Sequence, residues 1–181
     1  MPSAITHALV GLAATRLTTG PRAPGWLYGT AAALAALPDA DVIGFALGVH
    51  YRDPWGHRGA THSLLFAALV SLPLAVALTP KLAGSALRNG RALWAFLFAV
   101  LASHGVLDAF TNGGQGIEFF WPFSTERFFF PWRPIQVSPI GITRFLSERG
   151  VTVLVSEALW IWLPLGVALV VAEVLRRESR R

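Results

Sequence analysis

At 181 residues the chain has the length of one domain, but with 54% hydrophobic and 14% charged residues and a mean hydropathy of +0.52 it is too apolar for an ordinary soluble one. The composition indicates a membrane-embedded helical bundle, and the net charge of +5 does not mark a nucleic-acid binder, because Lys and Arg are spread through loops and ends and form no stripe with interleaved aromatics. The chain has no cysteine. That excludes a disulfide framework and leaves His, Asp and Glu to hold any metal.

Ser3 is placed to cap a helix running to about Thr19, with His7 one turn in. Ala4 to Leu17 lacks a basic leader and a small-residue cleavage site, so it does not read as a removable signal peptide. The segment from Thr19 to Gly25, with Pro21 and Pro24, breaks the helix. Trp26 to Leu37 then runs apolar into Pro38-Asp39-Ala40-Asp41 and resumes from Val42 to Val49. A loop from His50 to Gly59 leads through His57-Arg58-Gly59-Ala60-Thr61-His62-Ser63 into an apolar helix ending near Leu78. Thr79 to Arg91, including Lys81, Gly84, Arg88 and Arg91, is a basic connector.

The next helix, Ala92 to about Phe110, carries His104 and Asp108 in its last turns. A connection at about 111–150 follows, rich in Gly, Pro, Phe and Trp, whose aromatic density suits the membrane interface. Val151 to Leu175 is a final span, interrupted only by Glu157 and Pro164, before the arginine-rich end. The predicted fold is all-α: a multi-pass transmembrane bundle of four full spans plus a shorter N-terminal helix, forming a single domain over residues 1–181.

Counting reversals gives the distribution of polar residues. With the C-terminal arginines cytoplasmic, as the positive-inside tendency favours, Lys81, Arg88, Arg91, Arg16 and Arg22 share that side. His7, Asp39, Asp41, His57, His62, His104 and Asp108 all fall on the opposite face. Several basic residues, Arg52, Arg58 and Arg127 among them, also fall there, so convergence on one face is a firmer expectation than the compartment that face meets.

Imidazoles and carboxylates gathered at helix ends suit zinc, and a carboxylate-rich set equally admits manganese or iron. His104 and Asp108, four residues apart on a helix, share one face and can grip a single ion; alone, they would equally make a hydrogen-bonded polar pair. His62 is a second ligand candidate, Asp39 a third, and His7 a fourth. Asp41 is as well suited to capping the helix at Val42 as to ligation. His57 has a bland reading as a loop histidine, and Thr61 or Ser63 as a helix cap. Arg58 is either an interfacial anchor or a planar fork for a substrate anion. His50 reads as solvated, Glu118 and Glu126 as loop surface, and Glu157 as a partner of the ligand set or a neutral acid.

Taken together, Thr6-His7, Leu37-Pro38-Asp39-Ala40-Asp41, the stretch from His57 to Ser63, Ser103-His104-Gly105-Val106-Leu107-Asp108 and Trp121-Pro122-Phe123-Ser124 resemble the prokaryotic YdjM-type family of membrane-bound metal-dependent hydrolases. That family is also described as LexA-binding and inner-membrane-associated. The resemblance covers roughly Met1 to Phe130 and implies an inner-membrane location and a LexA-type partner. The ligand order is also similar to that of zinc-dependent phospholipase C and P1-type nucleases, which are all-helical phosphoesterases. His7, Asp39, His57 or His62, and His104 with Asp108 would match it. Those enzymes carry two further histidines and an acid, whereas no histidine follows His104 here, so one or two metal ions are expected and not three.

The expected function is hydrolysis of a phosphoester on a lipid or membrane-proximal substrate, with His62, His104 and Asp108 as core ligands and Asp39 and His7 completing them. Arg58 would hold the anion, and Asp41 or His57 would orient water or act as base. Two other classes compete: a regulatory membrane protein stapled by a structural metal, and a metal or proton transporter.

Overall fold

The structure is a computed structural model that describes residues 1–82 and 86–181; Gly84 of the basic connector lies outside them. Among the described residues the regular elements are all helical, with isolated bridges only at Thr111 to Ile135 and Ile117 to Phe128. Four helices are long and apolar enough to cross a membrane: Gly25–Ala46, Leu64–Leu82, Gly90–Ala109 and Glu148–Glu178. The shorter N-terminal helix α1 spans Ala4–Thr19. This is the expected set of four spans and one shorter helix.

Each boundary has a local cause. The Ser3 side chain accepts from the Thr6 amide and starts α1, and Gly20, at φ 69°, ends it. Helix α2, Gly25–Ala36, tightens into a 3-10 turn over Leu37–Val42, where Pro38 has no amide to donate, and continues as α3, Ile43–Ala46. The acids therefore lie within a continuous helical path instead of breaking it. Ser63 accepts from the Phe66 amide at 3.1 Å and opens α4, Leu64–Leu78; Asn89 does the same for α5, Gly90–Ala109. After α6, Ile142–Phe145, the last span is α7, Glu148–Glu157, a π turn over Ala158–Trp162, and α8, Leu163–Glu178.

Helix α1 packs on α2, α2 on α5, α5 on α4, and α8 on α1. The apolar core lies between them, with Leu27, Ala31 and Leu34 of α2 against Leu93, Leu97 and Val100 of α5. Lipid tails are as apolar as these side chains, so close backbone approach contributes more to helix association than burial does. Gly11 provides that approach: a Cβ there would lie 2.3 Å from the Ala31 carbonyl oxygen. At the end of the bundle away from the histidines, Arg16 pairs with Glu173 at 3.0 Å and Arg176 donates to the Leu17 carbonyl.

The aromatic connection does more than lie at an interface. It folds back over the histidine end, with the Phe119 carbonyl accepting from the Leu64 amide at 3.0 Å, the Phe130 amide donating to Ala109 and Phe110 stacking on Phe130 at 4.2 Å. This roof explains how polar residues at the end of a membrane bundle come to be buried.

The Gly11 contact makes a direct prediction. Gly11→Ala forces α1 and α2 apart and lowers stability by about 1–3 kcal/mol, read as a fall in melting temperature of the detergent-solubilised protein; an unchanged melting temperature contradicts the packing described.

Candidate metal centre

The ends of three helices build the centre. Asp39 comes from the 3-10 turn after α2, His62 from the turn before α4, and His104 and Asp108 from the last turns of α5. One ligand atom from each lies within 4.8 Å of all the others, and all four residues are buried. His104 Nε2 is 3.2 Å from Asp39 Oδ1; His62 Nε2 is 3.9 Å from the same oxygen and 3.7 Å from Asp108 Oδ2. Ligand bonds of about 2.0–2.1 Å in a tetrahedron set ligand atoms roughly 3.3 Å apart, so these separations suit a single ion with little movement.

Tautomers sharpen the case. His104 Nδ1 lies 2.7 Å from the Ala35 carbonyl, which can only accept, so Nδ1 carries a proton and Nε2 faces Asp39. His62 Nδ1 faces Asp41 Oδ2 at 3.3 Å and Thr61 Oγ1 at 3.0 Å, which turns its Nε2 toward Asp39 and Asp108. Burial holds the His62 imidazole down to about 4, so it is neutral near pH 7 and has a lone pair to offer. Asp39 Oδ2, His62 Nε2 and both Asp108 oxygens are buried without a hydrogen-bond partner. Lone pairs of this kind, facing one another with only the Arg58 guanidinium beside Asp108 to offset them, are costly in a low-dielectric interior, and a divalent cation is the group that would satisfy them together. The donor set of two imidazoles and two carboxylates therefore fits a metal ion.

His7 sits beside this set. Its ring stacks on that of His104 at 3.7 Å, and its Nε2 is 3.2 Å from Asp108 Oδ1. It touches the same carboxylate from the other side, the position of a fifth ligand or of one shared with a second ion. Both ring nitrogens of His7 are otherwise unpartnered.

Asp41 orients the surrounding groups. One oxygen is 2.6 Å from His57 Nδ1; the other accepts from Thr61 Oγ1 at 2.8 Å and from the Arg58 amide at 3.3 Å. The capping role expected for Asp41 is absent, since Val42 and the α3 start have no side-chain cap. Helix α3 continues directly from the 3-10 turn, so its first amides need no side-chain partner. Asp41, His57 and His62 form a second group with metal-ligand spacing. Its members already satisfy one another by hydrogen bonds, so the pull of unmet lone pairs lies in the first group.

Arg58 departs from both expected roles. It is 1% exposed, which excludes an interfacial anchor. Its guanidinium is spent on the protein: Nη1 donates to the Gly113 carbonyl at 2.8 Å, Nη2 to Thr111 Oγ1 at 3.1 Å, and Nε lies 3.2 Å from Asp108 Oδ2. A substrate fork needs an open face, and this one is covered by the 111–114 turn. Arg58 has φ 68°, a strained conformation for a non-glycine residue, and the turn lets His57 and Arg58 be buried in succession. Gly114 makes the room: a Cβ there would lie 2.3 Å from Arg58 Nη1.

Glu157 is fully buried and holds the start of α1, accepting from Ser3 Oγ at 2.7 Å, Thr6 Oγ1 at 2.6 Å and the Ser3 amide. Trp162 Nε1 donates to Thr6 Oγ1 at 2.7 Å. This polar knot fixes the turn that carries His7, through Ser3 and Thr6 and not through a hydrogen bond to any candidate ligand. His50 is solvent-exposed beside Asp53, as expected.

Sequence reasoning missed Thr111, which receives Arg58 and donates to the Asp108 carbonyl at 2.7 Å. It also took Glu118 for loop surface. Glu118 is 2% exposed and pairs with Arg127 at 2.7 Å. No local pattern marks either residue, because their partners are 53 and 9 positions away. The pair borders a cavity of about 560 Å³ that includes none of the candidate ligands.

The chain matches the family model described as YdjM inner membrane protein over residues 1–179. It is similar to the inner membrane protein YbcI of Escherichia coli (strain K12), with 43% identity over 164 residues, covering 91% of this chain and 92% of the relative. No solved structure matches it.

Removing the orienting carboxylate tests this arrangement. Asp41→Asn leaves the four ligands in place but loosens His62, and lowers metal affinity by about 10–100-fold, measured by competition with a chromogenic chelator. Wild-type affinity in that variant contradicts the role assigned to Asp41.

Proposed function

The chain belongs to the YdjM inner membrane protein family, and from that premise we propose that it is a membrane-bound, metal-dependent hydrolase acting on phosphoesters. The observation that carries this reading is the buried cluster of Asp39, His62, His104 and Asp108 at metal-ligand spacing, with unpartnered atoms on Asp39, His62 and Asp108. Zinc suits the donors best, with manganese or iron as alternatives, and His7 adds a place for a second ion. A divalent ion held there supplies Lewis acidity toward a phosphoryl oxygen and makes water a stronger acid.

The protein residues divide the remaining work. His57, held through Nδ1 by Asp41, is a proton acceptor beside the ligand set, its ring centroid 5.5 Å from that of His62. Arg58 fixes Asp108 and excludes water from that side, and the 111–135 roof closes the polar end from above. The gathering of all candidate ligands at one end supports an enzyme over a transporter, whose polar groups would be strung along the bilayer depth. The arginines at 176, 177, 180 and 181 and Lys81, Arg88 and Arg91 support a cytoplasmic C-terminus, with the metal centre at the extracytoplasmic face.

Metal analysis of gently purified protein, paired with hydrolysis of bis(p-nitrophenyl) phosphate, tests this reading. Wild type is expected to carry stoichiometric divalent metal and to turn the substrate over; His62→Ala and His104→Ala lose the metal and more than about 100-fold in rate. Wild type without metal contradicts the centre. Metal retained without turnover replaces the enzyme with the stapled regulatory protein.

A further inference from the structure

An open cleft of about 400 Å³ leads to the candidate centre from the side of the bundle. It is lined by Ile5 at the start of α1, Val42 at the end of the 3-10 turn, and Ile140, Ile142 and Phe145 of the segment that carries α6, and Asp39 borders it. The side chains that line it are apolar except for Ser3, Asp39 and Ser138. Asp39 is the least enclosed of the four ligands at 8% exposure, and its Oδ2 is the oxygen without a partner. An apolar trough bordered by the Asp39 carboxylate is the shape of a site for an amphiphile, with a chain along the trough and a polar group at the carboxylate.

The outer surface continues the trough. Ile142 and Leu146 are 79% and 78% exposed, and Val151, Val155 and Leu159 follow at four-residue spacing along the outside of the last span. These residues mark an apolar path from that span toward the lips of the cleft, interrupted in the chain by Ser147, Glu148 and Arg149. A water-soluble substrate has no use for such a path, whereas a lipid can follow it without leaving the bilayer.

We propose that the cleft bounded by Ile5, Val42, Ile140, Ile142 and Phe145 holds the acyl chain of a single lipid substrate that enters sideways from the surrounding leaflet and presents its phosphoester at Asp39. This inference rests on the hydrolase reading above and narrows its substrate class to chain-bearing phosphoesters.

The test uses full-length, zinc-loaded protein in nanodiscs of phosphatidylethanolamine and phosphatidylglycerol, photolabelled with a dodecyl phosphate carrying a terminal diazirine. Peptide mass spectrometry is expected to find label concentrated on residues 138–145 and Ile5 over the outward face of α8 at Val167 and Val170, and excess unlabelled dodecyl phosphate, but not inorganic phosphate, removes it. Ile142→Asp, which makes the lip polar, and Ile142→Trp, which fills it, each reduce that label by about tenfold, the effect of losing roughly two buried methylenes. Ile142 is highly exposed, so neither variant threatens folding. Label spread evenly over α8 and the cleft, or undiminished in both variants, overturns the proposal. Hydrolysis of the chainless bis(p-nitrophenyl) phosphate is followed in the same samples: cleft labelling without turnover defeats the hydrolase reading alone, and turnover without cleft labelling defeats the acyl-chain site alone.

Discussion

Two carboxylates, Asp39 and Asp108, are buried at one end of an apolar bundle with the Nε2 atoms of His62 and His104 turned toward them. In water such a cluster would cost little. Between membrane-spanning helices its charge is offset only in part: the Arg58 guanidinium lies 3.2 Å from Asp108, and no Lys or Arg pairs with Asp39 among the described residues. Much of the surrounding architecture holds this arrangement in place. The 3-10 turn at Pro38 brings Asp39 inward, the Ala35 carbonyl fixes the His104 ring, Asp41 fixes His62, and Glu157 clamps the turn that carries His7. A cation would bring these separate devices into one purpose.

Outside the ligand shell the chain departs from a simple bundle. A span that merely crossed a membrane would not need a non-glycine residue at positive φ or a glycine whose missing Cβ admits a guanidinium. Arg58 and Gly114 together seal the Asp108 side of the centre, while Asp39 borders the apolar cleft. The asymmetry, closed at Asp108 and bordered by the cleft at Asp39, gives the site a direction of approach along the side of the bundle.

The helical plan was legible because its causes are local. Apolar runs of membrane length, the Ser3 and Ser63 caps, and the breakers at Pro21 and Pro24 act within a turn or two of where they sit. Alternating the direction of each span was enough to expect His7, Asp39, His62, His104 and Asp108 at one end. The roles of residues just outside that set were not legible. Asp41 reads as a cap by its neighbours, yet its partners are His57, Arg58 and Thr61, 16 to 20 positions on. Arg58 looked available to a substrate because the turn that covers it, near Thr111 and Gly113, is more than 50 residues away. The 111–150 connection was read by its aromatic content, which describes what the segment touches but not that it folds back as a roof.

The central claim is that Asp39, His62, His104 and Asp108 share a metal ion, and X-ray absorption at the metal edge of the purified protein measures this most directly. The account predicts a shell of nitrogen and oxygen only, at about 2.0–2.1 Å for zinc, with the outer-shell scattering of two imidazoles, reduced to one in His104→Ala if that variant keeps any metal. A spectrum without imidazole scattering, or one identical between wild type and His104→Ala, would place the metal elsewhere and contradict the account.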